Sequence, residues 1–351
     1  DPEGGILFEA LCETKSGPIR DILRRFGVEA AQCLTIEAGN GTQMVRELRS
    51  FGFPVQVVDV RKSSKFLAIR RQKTDVHDAR GLAELGRLAR SIGSPVFVKP
   101  MEYQNIRTLI NVRRTMLKNR ARTDALIQSI FRLYGGNVKL LNGRGALAAE
   151  VNDQVRKMRQ HGLEIGVNLQ PLVEIAEALR EQISALDRQM RDIASNNPTC
   201  RNFQTIPGIG PVVALSFYSA IGDPHRFERS RDVGAYLGLT PTLYQSGATS
   251  RRGRVSRHGN KLTRMHLITA ATVLLCRIEI ESRLRTWGLE LAQRIGFLKA
   301  RVAVARKLAV IMLAMWKSGS PFYADGEPSL FLQREEAGLD PVLISGTQIS
   351  L

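Results

Sequence analysis

The chain has 351 residues, of which 51 are Lys or Arg and 33 are Asp or Glu, so its formal net charge is +18. Hydrophobic residues make up 43% of it, which excludes a disordered basic tail and allows two or three folded domains. The positive excess indicates a polyanionic partner, DNA or RNA. A membrane partner is not expected, because no apolar run approaches the ~20 residues of a spanning helix.

The four cysteines are scattered and form no Cys-x-x-Cys pair; they are Cys12, Cys33, Cys200 and Cys276. Their spacing therefore indicates neither a zinc site nor a disulfide framework. The sequence also shows no signal-peptide pattern. Together these observations favour a protein of the reducing cytoplasm.

The first hundred residues alternate strand-like with helix-like segments. This alternation is typical of an α/β domain with a sheet covered by helices. Strands are predicted over 6–11, 31–37, 54–60 and 95–98, and helices over 16–26, 42–51 and 75–91.

After residue 100 the pattern becomes helical, so the rest of the chain is predicted to be all-α. A long helix with a strongly basic outer face is expected over 105–134. Over 172–193, apolar residues recur in alternating steps of three and four, which is typical of a coiled-coil seam. An intramolecular helical hairpin and a dimer contact explain that seam equally well.

The stretch 205–214, TIPGIGPVVA, has the form of a helix-hairpin-helix element. Gly208 and Gly210 would let backbone amides approach a DNA phosphate where the next helix begins. A plain corner between two helices is the alternative. Further helices are predicted over 261–277 and 298–317, followed by a flexible tail over 318–351 that is rich in Gly, Pro and Ser.

A dense basic run follows the Ser246-Gly247 pair and contains no acidic residue. Its members are Arg251, Arg252, Arg254, Arg257, His258, Lys261 and Arg264. Such a run favours contact with nucleic-acid phosphates, which would bring a phosphodiester close to the Ser246 hydroxyl. Ser246 is therefore a candidate nucleophile. The alternative is a polar hairpin tip with solvated charges.

Three carboxylates in the α/β region form a second candidate site. Glu37 ends a predicted strand, and Asp75 and Asp78 lie three residues apart at the start of a helix, hence on one face of it. Carboxylates arranged in this way can bind divalent metal, and a ligand set of oxygens alone favours Mg²⁺ or Mn²⁺. The alternative is that both aspartates only stabilise the helix N-terminus.

Seven stretches together resemble one family, the DEDD transposases of bacterial insertion sequences in the "IS-one-ten" family with its eleven-eleven subgroup, also called bridge-RNA-guided recombinases. They occur in the family's order along nearly the whole chain. They are TIEAGN (35–40), KTDVHDARGLAEL (73–85), PGIGPVVAL (207–215), IGDPHRF (221–227), AYLGLTP (235–241), YQSG (244–247) and VARKLAVIMLAMWK (304–317).

The resemblance implies a ribonuclease-H-like domain over 1–100, a helical coiled-coil region over 101–200, a mainly helical, serine-bearing transposase domain over 201–317 and a flexible tail. It also implies that Glu37, Asp75 and Asp78 belong to the family's acidic set, and that Ser246 attacks DNA to form a phosphoserine link. The site would be composite across a homodimer or homotetramer. A non-coding RNA would select the DNA, and the protein would lie in the bacterial nucleoid.

One departure from the family concerns the first aspartate of its acidic set, which sits on the opening strand of the fold. Asp1 falls in the turn after that strand and is a poor substitute. We expect the opening strand to lie upstream of this chain.

Two alternative functions remain: a metal-dependent nuclease or junction resolvase in which Ser246 is structural, and a catalytically inactive nucleic-acid-binding protein.

Overall fold

A computed structural model describes residues 3–27, 33–39, 41–68, 74–92, 96–143, 145–162, 164–246 and 249–322. The chain divides into two compact units, residues 1–99 and residues 100–351. Each unit has a hydrophobic core made of its own residues.

The first unit contains a two-stranded parallel sheet with helices around it. Leu34 lies opposite Val55 and Glu37 opposite Val58, and a helix connects the two strands, as a parallel pair requires. The elements are α1 (Ser16–Arg25), β1 (Leu34–Glu37), α2 (Thr42–Ser50), β2 (Val55–Val58), α3 (Val60–Leu67) and α4 (Asp75–Ile92). The buried core is small and consists of Val45, Leu48, Phe53, Val55 and Val57.

Two predicted strands of this unit are wrong. Residues 6–11 form no strand, and Leu7 and Leu11 are 78% and 91% exposed, so their apolar side chains have no core to pack against. Residues 96–98 form no strand either, although the Val96 N–H donates to the Val57 carbonyl at 2.7 Å and so keeps the segment beside β2. Residues 31, 32 and 95 of the predicted strands lie outside the described residues.

The second unit begins with three helices, α5 (Met101–Leu133), α6 (Ala146–Arg159) and α7 (Gly166–Asn196). Helix α7 packs against α5 of the same chain, as in the helical-hairpin alternative. The Arg180–Asp124 ion pair joins the two helices at 2.8 Å. The predicted seam is buried at Ile183 and Met190, but it is wrong at its start, where Val173 and Ala176 are buried and Ile175 is 51% exposed.

The remaining helices enclose the larger core, with α13 at its centre. They are α8 (Pro198–Phe203), α9 (Pro211–Ile221), α10 (Asp232–Tyr236), α11 (Lys261–Cys276), α12 (Arg283–Ile295) and α13 (Phe297–Ser318). Side-chain oxygens cap three of them: Asn197 accepts from the Cys200 N–H before α8, Asn260 from two backbone N–H groups before α11, and Ser282 from the Arg285 N–H before α12. Leu308 and Met312 of α13 are fully buried.

A two-stranded antiparallel hairpin, β3 (Pro241–Ser246) and β4 (Thr249–Val255), interrupts this helical unit. Most of the predicted tail, 323–351, lies outside the described residues. Across the helices that the structure describes, none combines the length and the apolar character needed to cross a membrane.

Candidate functional site

Ser246 lies exposed at the far end of the hairpin, where it pairs with Thr249. Tyr244 pairs with Arg251 two positions further along. Because side chains alternate between faces along a strand, Ser246, Tyr244 and Arg251 share one face of the hairpin. Diagonal neighbours in such a pair have Cβ atoms roughly 7–8 Å apart. Register therefore makes Arg251 the cation of β4 that is best placed to share a phosphate with Ser246.

The base of the hairpin is held by close backbone approaches. The Ser256 N–H donates to the Thr240 carbonyl at 2.8 Å. Gly259 has a φ of +85°, and a Cβ there would lie only 2.0 Å from the Tyr236 carbonyl oxygen. Gly238 approaches the His258 backbone equally closely. These contacts fix the direction in which the hairpin leaves the helical unit.

Arg264 is part of that support. Its side chain is buried, and Nη1 donates to the Leu237 carbonyl at 2.9 Å and to the His258 carbonyl at 3.2 Å. The guanidinium thus joins the two chain segments at the base of the hairpin. Its place among the predicted phosphate contacts is not supported by this burial.

The other basic residues of the run lie along and below the hairpin. Arg254, Arg257, His258 and Lys261 are exposed. Arg252 pairs with Leu243, and its side chain lies outside the described part of the structure. From Thr249 to Val255 a strand extends roughly 20 Å at ~3.3 Å per residue. His258 follows the base end of β4, so it is too far from Ser246 to remove the hydroxyl proton within the same hairpin.

The two glycines before α9 have different environments. Gly208 has a φ of +89°, and a Cβ there would lie 3.2 Å from the Ala270 carbonyl oxygen, so this glycine allows close packing against α11. Gly210 precedes α9 as its N-cap, and a Cβ there would meet nothing within 4 Å. Only Gly210 has the open surroundings that a phosphate would need. The helix-hairpin-helix element stays a prediction.

The three predicted carboxylates lie in the first unit. Glu37 ends β1 and accepts a hydrogen bond from the buried Ser63 hydroxyl of α3, a contact that the sequence did not indicate. Asp75 is exposed and Asp78 half-buried in the first turn of α4. Among the described residues, no three His, Cys, Asp or Glu side chains group closely enough to hold a metal ion. The carboxylate oxygens of Glu37, Asp75 and Asp78 suit Mg²⁺, but these three residues do not form a complete metal site in the structure. The metal site therefore stays a prediction.

The sequence matches two transposase family profiles, one over its N-terminal part and one within the second unit. A DEDD transposase profile of the IS110 family matches residues 1–135, and a profile described as "Transposase IS116/IS110/IS902 family" matches residues 200–286. The chain belongs to the IS110 family of transposases. The chain therefore contains a DEDD transposase domain of the ribonuclease-H-like kind, and the matched residues 1–135 include the whole first unit and helix α5.

Two proteins named as insertion-sequence transposases are similar to this chain over most of their length. The transposase for insertion sequence element IS1111A of Coxiella burnetii is 29% identical over 297 residues, covering 81% of this chain and 77% of the relative. The transposase for insertion sequence element IS1328 of Yersinia enterocolitica is 27% identical over 282 residues, covering 80% and 81%. Members of the IS110 family are enzymes that act on DNA, and their DEDD domain implies a divalent metal.

Proposed function

We propose that this transposase cuts and rejoins DNA through a covalent link between Ser246 and a DNA phosphate. The observation that carries the proposal is the position of Ser246, exposed at the end of an anchored hairpin and sharing a face with Arg251. A guanidinium beside a hydroxyl suits attack on a phosphodiester, because it both orients the phosphate and stabilises the charge that develops on it.

In the proposed step the Ser246 oxygen forms a bond to phosphorus, and the bond from phosphorus to one deoxyribose oxygen breaks. The serine hydroxyl proton passes to a base, and the leaving deoxyribose oxygen takes up a proton. The phosphoserine link retains the phosphodiester, so attack by another DNA hydroxyl reverses the step and joins new ends. No external energy source is required.

Two further parts of the proposal rest on the family resemblance. Glu37, Asp75 and Asp78 are proposed as oxygen donors for the divalent metal, Mg²⁺ or Mn²⁺. A non-coding RNA is proposed to select the DNA, which the chain's net charge of +18 would favour. A homodimer or homotetramer would complete the site.

The test uses end-labelled DNA carrying the ends of the encoding element, incubated with the protein, the flanking non-coding RNA and Mg²⁺, then denatured with SDS. We expect a protein–DNA adduct that disappears in Ser246→Ala, while DNA affinity changes less than about twofold. Ser256→Ala is the matched control, because that serine lies at the hairpin base and its backbone hydrogen bond to Thr240 does not depend on the side chain.

Three outcomes would contradict parts of this proposal. An adduct that persists in Ser246→Ala would exclude Ser246 as the nucleophile. DNA cleavage without any adduct would indicate a nuclease in which water attacks. An adduct that forms equally well without RNA would remove the guide RNA from the proposal and leave the serine chemistry in place.

A further inference from the structure

A basic cavity lies within the second unit, at the meeting point of α5, α9 and the segment that leads from the hairpin into α11. Its volume is about 220 Å³. The residues that line it are Arg107, Ile110, Asn111, Arg114, Ser216, Ser219, Gly259, Asn260, Lys261, Leu262 and Thr263. They come from three stretches far apart in sequence, and only Lys261 belongs to the basic run that the sequence analysis singled out.

Three cations surround this cavity. Arg107 and Arg114 lie two turns apart on one face of α5, and Lys261 is the first residue of α11. No carboxylate lines the cavity. Among the ion pairs of the described residues, none involves any of these three cations. Three positive charges held together without a counter-charge repel one another, and an anion between them would relieve that repulsion.

The floor of the cavity is polar and already ordered. Ser216, Ser219 and Thr263 are each 2% exposed, and the Ser216 and Thr263 hydroxyl oxygens lie 3.1 Å apart. The positive end of the α11 dipole faces the cavity through Asn260 and Lys261. Asn260 Oδ1 already accepts from the Leu262 and Thr263 N–H groups, so these two backbone donors are occupied. The donors left for a ligand are the three cationic side chains and the side-chain amides of Asn111 and Asn260.

We infer that this cavity binds one backbone phosphate of the DNA that the Ser246 hairpin engages. Its volume corresponds to about seven waters at ~30 Å³ each, which suits a phosphate group with a few waters and is too small for a drug-sized ligand. Gly259 belongs both to the cavity wall and to the hairpin base. A DNA strand whose phosphate is bound in this cavity would therefore be held close to the base of the hairpin.

This inference rests on the part of the proposed function that makes DNA the substrate, and it does not depend on Ser246 chemistry. The test therefore measures binding in the Ser246→Ala protein, so that covalent capture plays no part. The probe is a fluorescein-labelled 20-base-pair DNA duplex, titrated by fluorescence anisotropy over a series of KCl concentrations. An RNA duplex of the same sequence is titrated in parallel.

The decisive variant is Arg107→Gln with Arg114→Gln. We expect DNA affinity to fall about tenfold or more, and the slope of log K against log [KCl] to become shallower by about one, because the contacts that neutralise one phosphate are lost. The matched control is Arg122→Gln with Arg132→Gln, which removes two exposed arginines of the same helix outside the cavity. That control should change DNA affinity less than about twofold.

A conservative pair, Arg107→Lys with Arg114→Lys, separates charge from folding, because it should keep the salt slope of the parent protein. Equal losses in the cavity and control variants would overturn the inference, since general surface charge would then explain binding. A loss confined to the RNA duplex would also overturn it. If the lysine pair loses as much affinity as the glutamine pair with an equally shallow slope, the cavity does not act through its charge and the inference fails.

Discussion

His266 is a half-buried histidine of α11 whose Nδ1 atom is enclosed and has no hydrogen-bond partner among the described residues. Its burial, together with the positive charges of Arg113 and Arg114, lowers the pKa of His266 from 6.5 to about 4. The folded protein therefore keeps this imidazole neutral at pH values where the unfolded chain has already protonated it.

This difference predicts how the free energy of unfolding responds to acid. Between pH 6.5 and about 4 the unfolded state binds the proton and the folded state does not, so stability falls as the pH falls through that window. The contribution of His266 is at most about 3 kcal/mol. Urea unfolding at a series of pH values should give a weaker loss for His266→Gln than for the wild type.

The matched control for that experiment is His225→Gln, because His225 is exposed on a short 3-10 helix, Pro224–Arg226. The control should follow the wild-type pH curve. Carboxylates contribute to acid unfolding in all three proteins, so only the difference between curves reports His266. Identical curves for the wild type and His266→Gln would contradict the prediction.

At the scale of elements, the base of the hairpin depends on a glycine that has a positive φ and lies against the backbone of another segment. Gly259 has a φ of +85° with the Tyr236 carbonyl oxygen 2.0 Å from where a Cβ would lie. Gly296 between α12 and α13 has almost the same φ, +84°, with nothing within 4 Å of that position. Comparing an alanine substitution at the two positions therefore separates the cost of the positive φ from the cost of a clash between the new methyl group and the backbone.

Gly296→Ala should lower the free energy of unfolding by about 1–3 kcal/mol, because its φ of +84° with a ψ of 149° is a backbone conformation that essentially only glycine adopts. Gly259→Ala should lower it by about 1–3 kcal/mol more, because the methyl group must displace the backbone of the hairpin base. Chemical unfolding of both variants measures the difference. Equal losses would show that the backbone around Tyr236 yields easily and does not fix the hairpin.

The elements that sequence predicted best are the helices with strong end signals and sustained apolar spacing, such as α5 after Pro100 and α11 after Asn260. Helix α12 was missed because Gly288 weakens its helical pattern. In the structure that glycine serves packing, since a Cβ would lie 2.7 Å from the Leu275 side chain. The strand predicted over 6–11 failed because an apolar run alone does not provide a partner strand.

In the candidate site, the sequence could identify residues that are adjacent along the chain, but not residues that only folding brings together. Ser246 and its basic run are contiguous, so the sequence could identify them. Arg107 and Arg114 could not be related to Lys261 from the sequence, because about 150 residues separate them. Only the packing of α5 against α9, and of α9 against α11, brings them together. The sequence could not show that Arg264 is buried either, because the charge of an arginine does not reveal which carbonyl groups its guanidinium contacts.

At the scale of the whole molecule, the two units draw their buried cores from separate parts of the chain. The first core has five buried residues, all between 45 and 57. The buried residues of the two cores in the second unit all fall between 106 and 315. Because hydrophobic burial dominates folding stability, the second unit should fold without the first, and the smaller core should be the less stable.

A fragment of residues 100–351 tests this expectation by calorimetry and circular dichroism. We expect one cooperative transition whose midpoint lies within about 4 °C of the upper transition of the full chain, a shift that corresponds to roughly 1 kcal/mol for a unit of this size. The fragment retains Arg107, Arg114 and the hairpin, so it should also bind the DNA duplex. A fragment that lacks a cooperative transition would show that residues 1–99 are required to order the hairpin-bearing unit, and DNA binding would then be a property of the whole chain.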